Sequence, residues 1–173
     1  LGLAFVDPND ARMREGRAQI SDMAHPRQHH VADILGAALR QPLDLPAIAE
    51  AVHEVGALLY VDGVHLTPHA AVDVAALGAD FYACSPYKFF GPHHGVVVAR
   101  PELLERIHPD KLLPATDQVP ERFELGTLPY ELLAGTTAAI DYIAGLASTA
   151  ADRRARVLES MSAVEEHEER LFA

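Results

Sequence analysis

The sequence predicts an α/β protein with a layered sheet, on the evidence of three short apolar runs and the helical segments around them. The runs end in polar or turn-forming residues and comprise Ala57–Val61, Asp80–Cys84 and Gly95–Ala99. Continuous apolar runs of this length are typical of strands buried on both faces. Because segments with helical spacing lie between and after these runs, we expect helices to pack on the sheet.

Five segments are predicted to be helical. The first follows Asp44, a candidate N-cap, and has Pro46 in its first turn and Gly56 at its end. The others, with Thr149 as the candidate N-cap of the last, are Val72–Leu77, Pro101–Ile107, Pro129–Leu146 and Ala150–Phe172. Residues 1–42 show no sustained period and contain several prolines, so we expect a loop-rich lead-in there rather than a histidine-rich metal site.

Composition excludes several classes of protein. The 173 residues are 49% apolar and carry a formal net charge of −11. This composition is not that of a disordered chain, and the acidic balance argues against a nucleic-acid or anionic-membrane binder. The sequence has no run of roughly 18 apolar residues that would span a bilayer, and its single cysteine excludes an intramolecular disulfide framework. We therefore expect a cytoplasmic protein.

Polar residues follow two of the predicted strands. Asp62 comes directly after the first, His65 three residues later, and the segment Ser85–Lys88 after the second. Ligands of open α/β sheets bind at the carboxyl ends of the strands. Asp62 and Lys88 could form a buried ion pair, which the spacing alone favours. Alternatively, they could hold pyridoxal phosphate, with the lysine as its Schiff base and the carboxylate on its ring nitrogen.

The identities of the surrounding residues favour the cofactor interpretation over the ion pair. The segment from 60 to 100, YVDGVHLTPHAAVDVAALGADFYACSPYKFFGPHHGVVVAR, resembles class V aminotransferases of fold-type I, and among them the cysteine-desulfurase-like branch. It contains in order the family's Asp-(Ala/Gly)-x-(His/Gln), Pro-His, Asp-Val, Gly-x-Asp and Ser-x-x-Lys elements, followed by Gly-Pro and a glycine-rich strand. Arg122–Thr127 (RFELGT) resembles the Arg-x-Glu-x-Gly-Thr segment of the same family.

The resemblance implies roles for six residues. Lys88 would form the Schiff base and move the proton at the substrate α-carbon. Asp62 would keep the ring nitrogen of the cofactor protonated, and His65 would hydrogen-bond its phenolic oxygen.

The other three residues would hold phosphate. Ser85 would bind it directly, and Tyr87, which stands where desulfurases usually carry histidine, could donate to it through its hydroxyl. Thr127 matches the residue that reaches the phosphate of the neighbouring subunit, so the resemblance implies a homodimer with shared sites.

The resemblance also implies a fold and an activity. The fold is the large domain of a PLP-dependent transferase (aspartate-aminotransferase-like). The activity would be desulfurase or C–S lyase chemistry on a small amino acid first, and aminotransfer second. A catalytically inactive fragment that acts only as a dimerising scaffold is the alternative, and a histidine-based metal protein is a distant third.

Full-length members of the family are longer, and this chain begins with Leu1. We therefore expect a piece of a larger enzyme. It would comprise a poorly defined lead-in (1–42), a PLP-binding large-domain portion (43–149) and the start of a truncated C-terminal domain (150–173).

Three further residues are interpreted structurally. Cys84 is expected to pack in the core, His69 to have a structural role, and Arg122 to form an ion pair with Glu124.

Overall fold

The computed structural model describes the backbone of residues 3–6 and 29–33 and the whole of residues 44–172. The described elements are β1 (Leu3–Val6), β2 (His29–Asp33), α1 (Leu45–Glu54), β3 (Leu59–Asp62), β4 (Phe81–Cys84), β5 (Val96–Ala99), α2 (Pro101–Arg106), α3 (Tyr130–Ala144) and α4 (Arg153–Phe172). Short 3-10 turns lie at Pro86–Phe89 and Glu121–Phe123. The predicted α/β class is confirmed.

The strands form one sheet in the order β1-β2-β3-β4-β5. The first four strands are parallel and β5 is antiparallel to β4. Because Asp62 lies opposite Ala83 in the register, the carboxyl ends of β3 and β4 meet at one edge of the sheet. Neither β1 nor β2 was predicted from the sequence, and both lie in the expected lead-in. The division of the chain into domains stays a prediction.

Helix α1 covers one face of the sheet, and its boundaries follow from its sequence. The side chain of Asp44 accepts a hydrogen bond from Ala47 N at 3.1 Å, as expected of the N-cap. The chain leaves the helix at Gly56, whose φ of +71° favours glycine. The core between the helix and the sheet contains Leu45, Ala49, Val52, Leu59, Val61, Ala79 and Tyr82.

The segment Val72–Leu77 forms turns instead of the predicted helix. Asp73 Oδ1 accepts from the backbone N–H groups of Ala75 and Ala76, at 3.0 and 3.1 Å. Asp73 thus caps a single turn, in which Leu77 N donates to Asp73 O at 3.0 Å, and Gly78 at φ +71° ends that turn. The prediction was wrong because only residues 74–77 lie between this cap and Gly78, and so short a segment does not offset the cost of nucleating a helix.

Two other expectations need correction. Helix α4 begins at Arg153 rather than near Ala150, and Asp152 Oδ2 caps it by accepting from Ala155 N at 2.8 Å. Thr149 is therefore not its N-cap. Strand β5 is not buried on both faces, because Val97 keeps 58% of its surface exposed at the end of the sheet.

Candidate active site

The carboxyl edge of β3 and β4 carries the residues singled out from the sequence. Gly63 N donates to Ala83 O at 2.8 Å, which extends the pairing of the two strands past Asp62. The half-buried Asp62 accepts a hydrogen bond from Val64 N at 3.0 Å through Oδ1. Oδ2 has no hydrogen-bond partner among the residues that the structure describes. One carboxylate oxygen therefore shapes the turn and the other is available to a ligand.

The second part of the site is the 3-10 turn Pro86–Phe89, which follows β4. Ser85 occupies its N-cap position, and its side chain makes no capping hydrogen bond. Lys88 N donates to Ser85 O at 3.0 Å, so the backbone holds the serine and the lysine close together. The hydroxyl of Ser85 and the exposed amine of Lys88 are thus presented from one tight turn.

Lys88 forms no ion pair within the described part of the chain. Its Nζ lies 5.1 Å from the centroid of the Tyr87 ring, a cation–π contact. The Tyr87 ring also stacks on His93, with centroids 4.8 Å apart and an angle of 5° between the planes. The ion-pair interpretation of Asp62 and Lys88 is therefore wrong for this structure.

His65 and Thr127 stand apart from this arrangement. His65 lies exposed in the turn after β3, and its ring has no partner among residues 44–172. Thr127 lies in the loop before α3 and lines a cleft of about 360 Å³ with residues such as Glu124, Leu125 and Tyr130. That cleft is lined by none of the other five candidate residues. The structure thus brings Asp62, Ser85 and Lys88 to one sheet edge and leaves Thr127 elsewhere on the chain.

Burial alters the ionisation of side chains on β3 and β4. Burial raises the pKa of Tyr82, and the charge of Asp62 acts in the same direction, whereas the hydrogen bond between Tyr82 and Thr67 opposes it. Burial and the charge of Asp62 likewise raise the pKa of Tyr60. Burial raises the pKa of the Cys84 thiol, which packs against the core and is a poor nucleophile at neutral pH.

Sequence reasoning gave no role to Asp80, which is 2% exposed at the amino end of β4. Its carboxylate accepts from Leu59 N at 2.9 Å, lies 2.7 Å from His53 Nε2 and pairs with Arg100 at 2.8 Å. It joins β3, β4 and the end of β5 at the edge opposite the candidate site. The sequence signals were a charged residue at the start of an apolar run and its place in the Gly-x-Asp element.

Arg122 and His69 each pair with a carboxylate that the sequence did not indicate. Arg122 pairs with Glu105 at 2.7 Å rather than with Glu124, because its guanidinium is buried against the end of α2. His69 Nδ1 lies 2.9 Å from Glu168 on α4, in line with a structural role.

Among the described residues, no group of three or more His, Cys, Asp or Glu side chains could hold a metal ion. No helix in the described ranges is long and apolar enough to cross a membrane.

The site combines a mainly parallel sheet with a serine, a lysine and a carboxylate at its carboxyl edge, which is where α/β proteins with open sheets bind their ligands. Comparison with known proteins specifies the class. The sequence profile of the family "Aminotransferase class-V" matches residues 28–167, and the chain belongs to this family.

Individual relatives agree with this assignment. The chain is 43% identical over 111 residues to the aminotransferase-like protein FGM3 of Gibberella zeae, a match that covers 60% of this chain and 25% of that protein. It is 38% identical over 118 residues to a cysteine desulfurase of Klebsiella pneumoniae, which covers 61% of this chain and 29% of the relative. The chain thus spans less than a third of the length of these relatives.

A solved structure shows the same fold. The cysteine desulfurase CsdA of Escherichia coli superposes with a TM-score of 0.62 at 26% identity, over 73% of this chain and 35% of that one. The predicted fold class, that of the PLP-dependent transferases, is thereby confirmed.

Proposed function

We propose that this chain carries the cofactor-binding lysine of a pyridoxal-phosphate-dependent enzyme that acts on a small amino acid. Desulfurase or C–S lyase chemistry is the first candidate, and aminotransfer the second. The observation that carries the proposal is the position of Lys88 and Asp62 at the ends of adjacent parallel strands, with the lysine amine free of any ion pair in the described structure. Family membership and similarity to named cysteine desulfurases support it.

The donor set fits this cofactor. Pyridoxal phosphate has an aldehyde, a ring nitrogen and a phosphate, and the sheet edge offers an amine, a carboxylate and a hydroxyl. When bound, the cofactor supplies an electron sink for the pair left by a broken bond at the substrate α-carbon. Asp62 would hold a proton on the ring nitrogen, because a nearby anion favours the protonated form. Lys88 would move the proton at the α-carbon.

The remaining residues complete the proposal. His65, in the turn after β3, would donate to the phenolic oxygen of the cofactor, and Ser85 and Tyr87 would donate to its phosphate. Thr127 would reach the phosphate of a second subunit, which makes the active form a homodimer with shared sites. Its exposure and its location away from the sheet edge of its own chain support this role. We place this enzyme in the cytoplasm.

The chain offers a sharp test because it contains two lysines, Lys88 and Lys111. We expect added pyridoxal phosphate to give an absorbing adduct that borohydride traps on the peptide containing Lys88. Lys88→Ala should abolish this adduct. Lys111→Arg is the matched control, because Lys111 is held by Asp117 at 2.9 Å and arginine retains its charge.

The outcomes separate the candidates. A folded protein that forms no adduct at Lys88 would refute the proposal and leave the inactive scaffold. If the adduct forms, a panel of amino acids assayed for sulfide, alanine and keto acids distinguishes C–S cleavage from aminotransfer.

A further inference from the structure

The ring of Tyr87 contacts two polar neighbours at the candidate site. His93 stacks on it in parallel at 4.8 Å, and Nζ of Lys88 lies 5.1 Å from its centroid. Tyr87 is 43% exposed, and His93 is exposed as well. Burial in the core therefore does not hold these three side chains together, and the backbone must place them.

The turn after Lys88 brings His93 back to Tyr87. Phe90 adopts a φ of 67°, and Gly91 N donates to Pro86 O at 2.8 Å, so the chain reverses directly after the lysine. A side chain at Gly91 would crowd Pro86, since a Cβ atom there would lie 2.7 Å from Pro86 Cβ. The reversal is thus a tight, specified turn.

The residues on either side of His93 are held against α3. His94 Nε2 lies 2.6 Å from the hydroxyl of Thr136, which itself donates to Leu132 O at 3.0 Å. Because the Thr136 hydroxyl has a single hydrogen, its oxygen must accept from an N–H group at His94 Nε2. Pro92 packs beside Gly135, where a Cβ atom would lie 3.3 Å from Pro92 Cγ. His93 is the residue between these two fixed neighbours.

We propose that His93 is a positioning residue for Lys88 and acts through the Tyr87 ring. This inference rests on the proposed function of Lys88. A lysine has a flexible four-carbon stem, so an exposed lysine amine samples many positions. A contact with an aromatic face restricts it, and a ring that is itself stacked restricts it further. The stack would keep the amine at the sheet edge, where the cofactor aldehyde must meet it.

The stacked ring, rather than the charge or hydrogen bonds of the imidazole, is the active feature. The His93 ring has no hydrogen-bond or ion-pair partner in residues 44–172, and it stacks in parallel on the Tyr87 ring. Phenylalanine at position 93 retains an aromatic face and removes the ring nitrogens. His93→Phe should therefore preserve the positioning that His93→Ala removes.

The experiment measures the rate at which the whole chain, without bound cofactor, becomes labelled at Lys88 by pyridoxal phosphate and borohydride. Peptide mass spectrometry separates Lys88 from Lys111, which serves as the internal reference. We expect His93→Ala to slow labelling of Lys88 by about 3- to 10-fold, the range of a lost aromatic pair, with Lys111 unaffected. His93→Phe should stay within about 2-fold of the parent, and His167→Ala on α4 is the matched exposed-histidine control.

A double-mutant cycle tests whether His93 acts through Tyr87. Tyr87→Leu should slow labelling at least as much as His93→Ala, and adding His93→Ala to it should have no further effect. Additive effects, or a His93→Phe variant as slow as His93→Ala, would overturn the inference. So would a His93→Ala variant labelled at the parental rate. In each of these cases a parent chain labelled at Lys88 leaves the proposed function intact, whereas an unlabelled parent chain refutes that function itself.

Discussion

The side chain of Tyr82 fills the space that a side chain would need at Gly63, the residue after Asp62. A Cβ atom at position 63 would overlap Cζ and the hydroxyl oxygen of Tyr82. The hydroxyl of Thr67 donates to Gly63 O at 2.7 Å and lies 2.9 Å from the Tyr82 hydroxyl, from which it must accept. The turn that carries Asp62 is therefore shaped by the tyrosine on the neighbouring strand.

We expect Gly63→Ala to lower the free energy of unfolding by about 1–3 kcal/mol, because the added methyl group forces the buried Tyr82 ring to move. Urea denaturation followed by circular dichroism measures this. Replacing Tyr82 with leucine in the same chain should recover part of the loss, so the two substitutions should be non-additive. Gly95→Ala is the matched control, since nothing lies within 4 Å of a Cβ atom there. Equal effects at the two glycines would contradict this account.

Local patterns predicted the elements around the site well. The cap at Asp44, the apolar runs of β3 and β4 and the proline at the start of α2 each signal an element through nearby residues. The rule that parallel strands end at a common edge was enough to bring Asp62 and Lys88 to one edge of the sheet.

Other features depend on contacts distant in sequence or on the residue at which a segment is forced to end. Strand β2 begins with two histidines, so its composition does not indicate a strand. The helical pattern that Asp73 caps ends after one turn, because Gly78 adopts a positive φ. The stack of Tyr87 on His93 needs a chain reversal at Phe90, which has a positive φ despite not being glycine. The spacing of apolar residues in the sequence does not indicate such a reversal.

We expect Asp80→Asn to lower the free energy of unfolding by about 2–3 kcal/mol, because the buried carboxylate binds one backbone N–H and two cationic or ionisable side chains. Chemical denaturation of the purified chain is the measurement. Asp141→Asn is the control, since its pair with Arg153 is about half exposed on both sides and should be worth less than about 1 kcal/mol. A similar loss in both variants would show that Asp80 is not an anchor.

Stability should decrease at alkaline pH. Burial raises the pKa values of Cys84, Tyr82 and Tyr60 in the folded chain. The unfolded chain therefore loses these protons at lower pH than the folded chain. The stabilising contribution is complete below the unfolded pKa values and is lost as the pH rises through the folded ones.

We expect the free energy of unfolding to fall from about pH 8.5 upward, where an ordinary thiol begins to ionise. Urea titrations across this range measure the slope, and Cys84→Ser should flatten its first part. A disulfide-exchange reagent should also modify Cys84 more slowly in the folded chain than in urea. A slope that is the same with and without Cys84 would argue against a buried thiol.

The last prediction concerns Asp62 and applies if Lys88 binds the cofactor. We expect Asp62→Ala to retain some cofactor label on Lys88, because the amine lies on a different strand end. Exchange of the α-proton of L-alanine in D₂O should fall by about 100-fold or more, since the charge that stabilises the protonated ring nitrogen is gone. Proton NMR measures the exchange, and Asp73→Ala, which removes an exposed carboxylate paired with Arg154, is the control. Undiminished exchange in Asp62→Ala would exclude Asp62 from this role and leave its hydrogen bond to Val64 as its function.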